Sequence, residues 1–180
     1  MNLKSLPSLP ILLAAGALSL ANCSTSSELG VGTGGGIRGG SSLASGGARL
    51  KSVRTTAYTH TEADHVQYGN KTALGTTLRF DRVRSAAADW SVYPVGTLFR
   101  VDGEPAIYQI DDYGSALVGT NTIDLYKPNK TTMNQWGVKH KDIQIVRWGS
   151  YEKSAEILEP RQRHGHVKRM LDRIRQNQRS

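Results

Sequence analysis

The chain has 180 residues, 38% of them hydrophobic and 21% charged, with a formal net charge of +8; that length suits one domain and does not by itself require two. The positive charge is concentrated at one end: residues 160–180 hold seven Lys/Arg against one Asp (net +6), whereas 51–150 hold twelve Lys/Arg against ten Asp/Glu (net +2). That distribution argues against a nucleic-acid-binding core, which spreads its basic residues over a docking face, and the single cysteine, Cys23, excludes an intramolecular disulfide.

In chain order, Lys4 followed by the apolar run Ile11–Leu20 reads as a signal peptide over residues 1–22. Ten helical residues at ~1.5 Å rise cover about 15 Å, half a bilayer core, too short for a membrane span. Leu20-Ala21-Asn22-Cys23 resembles a bacterial lipobox, with Asn22 departing from the small residue usual before the cysteine. The resemblance implies a lipidated Cys23 and a protein anchored on the periplasmic face of the cell envelope, with Ser24 pointing to the outer membrane. Attached acyl chains would contribute about 0.8 kcal/mol per buried CH₂.

Residues 23–51 contain Gly34-Gly35-Gly36, Gly39-Gly40 and Gly46-Gly47 among serines, and so bury too little apolar surface to offset ordering entropy. They are expected to form a flexible tether reaching roughly 30 Å. A phosphate-binding loop is not expected, because no Gly-Lys-Ser/Thr ending follows.

From residue 52 to 150 the texture is that of a small β domain. Candidate strands are Val53–Thr59, Thr76–Phe80, Val83–Ala87, Thr97–Val101, Ala106–Asp111, Thr122–Leu125 and Ile143–Trp148, separated by turn residues such as Asp102-Gly103. Short strands at this spacing predict a barrel or sandwich, with one or two helical turns at 133–138. In the segment 151–180, Val167, Met170, Leu171 and Ile174 fall at helical spacing among Lys168, Arg169, Arg173 and Arg175. This predicts a basic amphipathic helix that either packs on its own barrel or contacts anionic lipid or wall polymer.

Three stretches place an aspartate at a strand end: Asp89 before Pro94-x-Gly96-Thr97, Asp112-x-Gly114-x-Ala116-x-x-Gly119, and Ile123-Asp124-Leu125-Tyr126 with Trp136-Gly137 following. Upstream lie Ala57-Tyr58 and Thr72-Ala73-x-Gly75. Together these resemble the 3D domain family, named for its three aspartates, which includes the C-terminal part of membrane-bound lytic transglycosylase A and compact stationary-phase muralytic proteins. The resemblance covers about residues 53–148 and implies a six-stranded double-psi β-barrel. It also implies cleavage of the MurNAc–GlcNAc bond of peptidoglycan with formation of a 1,6-anhydro sugar, without a cofactor. The larger second domain of lytic transglycosylase A has no counterpart here, so the chain is similar to the compact members. The other reading is a non-catalytic glycan-binding envelope lipoprotein.

The residues themselves narrow the chemistry. A glycosidic oxygen is a poor leaving group and must be protonated as its bond breaks. An Asp of ordinary pKa ~3.9 is ionised at neutral pH, so the acid needs an apolar setting or neighbouring carboxylates, costing the ionised form about 3–4 kcal/mol. If 106–111 continues as a regular strand, Tyr108, Ile110 and Asp112 share one face while Gln109 and Asp111 share the other. On that basis Asp112 is the expected acid and later base, with Asp124 and Asp89 holding its proton and positioning the sugar. Gly114 and Gly119 are expected to allow a tight turn and close glycan approach, with Tyr113, Tyr58 and Thr72 as further substrate-binding candidates. Tyr126 and Trp136 could stack on sugars or simply pack the barrel. No metal is expected: His60, Glu62, Asp64 and His65 lack a helical zinc spacing. His164 and His166 read as solvated, and Ser85, Ser91 and Ser115 lack a His-Asp partnership.

Overall fold

The structure, a computed structural model, describes residues 47–62 and 69–179. The signal peptide, Cys23, most of the Gly/Ser segment and both Asp64 and His65 lie outside the described residues. Six strands form a closed barrel: β1 (Arg49–Tyr58), β2 (Val83–Ala88), β3 (Leu98–Val101), β4 (Ile107–Asp112), β5 (Thr122–Tyr126) and β6 (Lys139–Arg147). The strand order is β1-β5-β2-β4-β3-β6, with β1/β5 and β2/β4 parallel and the other neighbours antiparallel. The fold is therefore mainly β, a mixed six-stranded barrel of the kind the motifs implied, followed by C-terminal helices.

Alternation along each strand fills the barrel. Val53, Ala86, Ala88, Phe99, Val101, Tyr108, Ile110, Ile123, Leu125, Ile143 and Ile145 are buried in one cluster, with Phe99 and Tyr108 stacked at 5.6 Å. The run Thr76–Phe80 is not a strand. It belongs to a compact loop closed by the bridges Lys71↔Thr77 and Phe80↔Arg84, in which the Thr72 N–H donates to the Thr76 carbonyl at 2.8 Å. Gly75, at φ +76°, makes the turn. Alternation in Thr76–Phe80 mimics a strand because Leu78 is buried against the outer barrel wall.

Helix α1 (Lys130–Trp136) begins at Asn129, whose side chain accepts from the Thr132 N–H at 2.9 Å. Two further helices follow the barrel, α2 (Tyr151–Leu158) and α3 (Gly165–Asn177), joined by a 3-10 turn. α2 had no clear periodic signal in the sequence. α3 is the expected amphipathic helix, and it packs on its own chain: Leu158, Val167, Met170, Leu171 and Ile174 are all 0% exposed and join the barrel's cluster. Burying a side chain of this size contributes roughly 1.5–3 kcal/mol, so α3 is part of the folded domain and its basic residues form the outer face.

The Pro94-x-Gly96-Thr97 motif fastens these helices. Thr97 Oγ1 donates to the Pro94 carbonyl at 2.6 Å and accepts from the Gly149 N–H at 3.0 Å. The Ser150 N–H donates to the Val95 carbonyl at 3.1 Å, and the Val95 N–H to Ser154 Oγ at 2.9 Å. A Cβ at Gly149 would stand 2.1 Å from the Val95 carbonyl oxygen and 2.6 Å from that of Pro94. Gly149→Ala must therefore push the α2 connection off the barrel. Overpacking of this kind costs about 3 kcal/mol, and thermal unfolding should show a Tm drop of several degrees.

Candidate active site

The site begins with an irregularity in β4. Along the β2/β4 ladder Ala86 pairs with Ile110, but Ala87 pairs with Asp112, so Asp111 is an extra residue. This is the signature of a β-bulge, which lets two consecutive residues oppose one. Strict alternation would have placed Asp112 with Tyr108 and Ile110. The bulge reverses that assignment and turns Asp112 to the outer face, where Asp111 also lies.

Paired positions on adjacent strands present their side chains to the same face. Thr56 pairs with Asp124, Asp124 with Ala87, and Ala87 with Asp112. A row Thr56–Asp124–Ala87–Asp112 thus crosses four strands on the outer wall. With strands ~4.8 Å apart, the Cα atoms of Asp124 and Asp112 stand roughly 10 Å from one another. Ala87 stands between them, 5% exposed within a second apolar cluster that also holds Tyr58, Leu78, Leu117 and Tyr126.

Asp112 is 7% exposed. Its Oδ1 accepts from the Ala73 N–H at 3.0 Å and from its neighbour's N–H, Tyr113, at 2.9 Å. Its Oδ2 accepts from the Tyr58 hydroxyl at 3.4 Å. Burial raises the Asp112 carboxyl to about 7, opposed by the Tyr113 and Ala73 N–H groups, with the Asp111 charge adding to the rise. Because two N–H donors occupy Oδ1, a proton on this group belongs on Oδ2. Tyr58 is itself raised well above its ordinary value by burial and by the Asp112 charge, so it stays a neutral donor.

Asp111 is fully buried and raised by burial, while Ser85 and Arg79 favour its charged form. Ser85 Oγ donates to its Oδ2 at 2.8 Å and Arg79 at 3.0 Å. The neighbour acting on Asp112 is therefore Asp111, which strict alternation would place on the opposite face. Asp124 is half-buried and accepts from Thr56 Oγ1 at 2.7 Å.

Asp89 differs from the other two. It is 0% exposed. Its Oδ1 accepts from the Ser91 N–H at 2.9 Å and Ser91 Oγ at 2.6 Å, and its Oδ2 from the Gly119 N–H at 2.8 Å and Arg173 at 3.2 Å. It ties the end of β2 to the turn after β4 and to α3. Gly119, at φ +89°, supplies that turn, and Arg173 lies 3.4 Å from where its Cβ would be. Gly114 begins a turn closed by the Leu117 N–H on its carbonyl at 3.0 Å.

Residues 84–153 match the family model described as the 3D domain. This stretch, from β2 to the start of α2, is a 3D domain. A search of curated proteins returned no match. The matched residues of the 3D domain contain all three motif aspartates and Asp111, whereas Tyr58 and Ala73, which contact Asp112, come from outside them. A 3D domain is consistent with action on peptidoglycan.

The remaining candidates are distributed around this centre. Tyr113 packs edge-on against Trp90 at 5.0 Å, and the Trp90 indole donates to the Asp112 carbonyl at 2.8 Å. Thr72 bonds to Thr76 Oγ1 at 2.9 Å and shapes the loop that aims the Ala73 N–H. Arg161, in the 3-10 turn, donates to the Ala73 carbonyl at 2.9 Å, a contact with no sequence signal because it spans 88 positions. Tyr126 bonds His60 Nδ1 at 2.9 Å and lies 5.6 Å from the Tyr58 ring. His166 faces Tyr113 at 6.0 Å. Among the described residues no group of three or more His, Cys, Asp or Glu is placed to hold a metal ion.

The raised Asp112 gives a stability signature. A carboxyl whose folded pKa, about 7, exceeds its unfolded ~3.9 binds a proton preferentially in the folded state. Its contribution is most favourable below about pH 4 and is lost as pH rises to about 7. Relative to Asp112→Asn, the wild type should therefore lose stability between pH 4.5 and 8 by up to about 4 kcal/mol. Urea unfolding of both proteins at the two pH values measures the difference; a constant difference would mean an ordinary, ionised Asp112.

Proposed function

We propose that this protein is a peptidoglycan lytic transglycosylase with Asp112 as its acid and base. The observation that carries the reading is a buried carboxyl raised to about 7, set on an outer wall two strands from a second carboxylate, Asp124. The steps are those the family resemblance implies, with Asp112 in the place of the acid. Its Oδ2 proton moves to the glycosidic oxygen as the C1–O bond breaks. The MurNAc 6-hydroxyl oxygen then bonds to C1, and its proton returns to Asp112, now a carboxylate steadied by the Ala73 and Tyr113 N–H groups. No water is consumed, and the closing step is intramolecular.

Asp124, with Thr56, is suited to holding a sugar hydroxyl on the same wall. Asp89 serves the frame, since its oxygens are engaged by Ser91, Gly119 and Arg173. Tyr58, Tyr113 and Gly114 border the same wall. The lipobox-like sequence around Cys23 supports anchorage in the envelope, which would bring the barrel to its substrate, with the outer basic face of α3 available to anionic wall polymer or lipid.

Purified protein incubated with sacculi should release muropeptides with 1,6-anhydro ends, detectable by mass spectrometry. General acid–base catalysis contributes about 10²–10⁴-fold, so Asp112→Asn should lose activity on that scale. Since the acid must be protonated, wild-type kcat/KM should fall as pH rises through about 7. If the wild type binds sacculi and releases no sugar, the domain is a glycan-binding module and the catalytic reading fails.

A further inference from the structure

A pocket lies where β2 begins and β5 ends. This pocket, of about 390 Å³, is lined by Phe80, Arg84, Glu104, Lys127, Trp136 and Lys139 among others. Three of those six are cations and one is an anion, leaving an excess of two positive charges. Glu104 is already committed to Arg84 at 2.9 Å and to the Tyr108 hydroxyl at 3.0 Å.

Lys127 is poorly served for its burial. It is 5% exposed, yet among the described residues its ammonium has only the Tyr108 hydroxyl at 3.4 Å and Glu104 at 3.8 Å as polar partners. It lies 4.5 Å from the centre of the Trp136 ring, and the Lys139 ammonium lies 4.6 Å from the same ring. Two ammonium groups thus share one indole, beside a third cation, Arg84, 4.1 Å from the Phe80 ring. Burial lowers Lys127, and the Arg84 and Lys139 charges lower it further, with Glu104 opposing. Like charges gathered in a part-desolvated pocket are relieved by an incoming anion, which gains charge-assisted hydrogen bonds there.

We propose that this pocket is a carboxylate-binding subsite that takes the C-terminal carboxylate of a short peptide. The pocket is larger than an inorganic anion needs, its Phe80 and Trp136 walls suit a small apolar side chain, and Glu104 opposes a dianion. The carboxylate sits between Lys127 and Lys139. The pocket also adjoins the acid's wall: Phe80 packs against the Tyr58–Tyr126 cluster, and Arg84 is three residues before Ala87 on β2, roughly 10 Å at ~3.3 Å per residue. Identifying the peptide as one carried by a wall glycan rests on the proposed function; the binding itself does not.

The full chain, labelled with ¹⁵N at its tryptophan indoles, is titrated with N-acetyl-D-alanyl-D-alanine and followed by NMR, the Trp136 signal being identified with Trp136→Phe. The dipeptide acid should shift the Trp136 indole saturably, and its C-terminal amide should not. Lys139→Gln, at an exposed position, should weaken the acid about tenfold, and Lys127→Met by at least as much, with spectral dispersion reporting the fold. Equal shifts from amide and acid, tighter binding of inorganic phosphate, or unchanged affinity in Lys139→Gln would each overturn the subsite. Dipeptide binding without release of anhydro products from sacculi would uphold the subsite and reject the transglycosylase alone.

Discussion

One extra residue in β4 governs where the candidate acid sits. Had β2 and β4 paired in register to the end, Asp112 would follow Tyr108 and Ile110 into the barrel and meet a packed apolar interior. The slip between Ala86 and Ala87 sends it outward beside Asp111 instead. The outer wall is still not open water there, because the 69–80 loop, Leu78, Leu117 and two tyrosines cover the surface around Ala87. Asp112 therefore has both conditions an acid needs: removal from solvent, and a second carboxylate close by in sequence and in space.

The three motif aspartates divide into two kinds. Asp112 and Asp124 belong to one row across the wall and differ in burial. Asp89 is a junction whose four hydrogen bonds connect β2, the turn at Gly119 and helix α3. The charge of Asp89 is met by Arg173 and two N–H groups, and the buried Asp111 by Arg79 and Ser85. Among the described residues Asp112 has no cation in hydrogen-bond or ion-pair contact, and burial raises its carboxyl to about 7. Charge compensation distinguishes Asp89 and Asp111 from the candidate acid.

The C-terminal helices contribute to the same economy of contacts. Arg161 holds the Ala73 carbonyl while the Ala73 N–H reaches Asp112. Arg173 closes on Asp89, and His166 lies against Tyr113. Each joins a residue beyond 160 to a loop that shapes the site, and the buried stripe of α3 supplies the packing that holds these polar contacts in register. A segment that by composition is a basic tail is thus the outer support of the candidate active site.

Much of this was legible in the residues. Alternation and turn residues identified most of the strands, the 3.6-residue period identified α3, and the spacing of the Asp89, Asp112 and Asp124 motifs pointed to the barrel and its family. Thr76–Phe80 was misread because one buried leucine gives a loop the rhythm of a strand, and α2 went unseen because its apolar period is short. Local sequence determined the elements, the motif carboxylates and the apolar faces, since propensity and periodicity act over a few residues. Only the tertiary structure decided which face Asp112 occupies, that Asp111 is its neighbour, that Asp89 is bonded to Ser91, Gly119 and Arg173, and that Ala73 and Arg161 meet beside the candidate acid. Register slips and contacts across dozens of residues are settled by the energy of the closed barrel as a whole, and no local pattern encodes them.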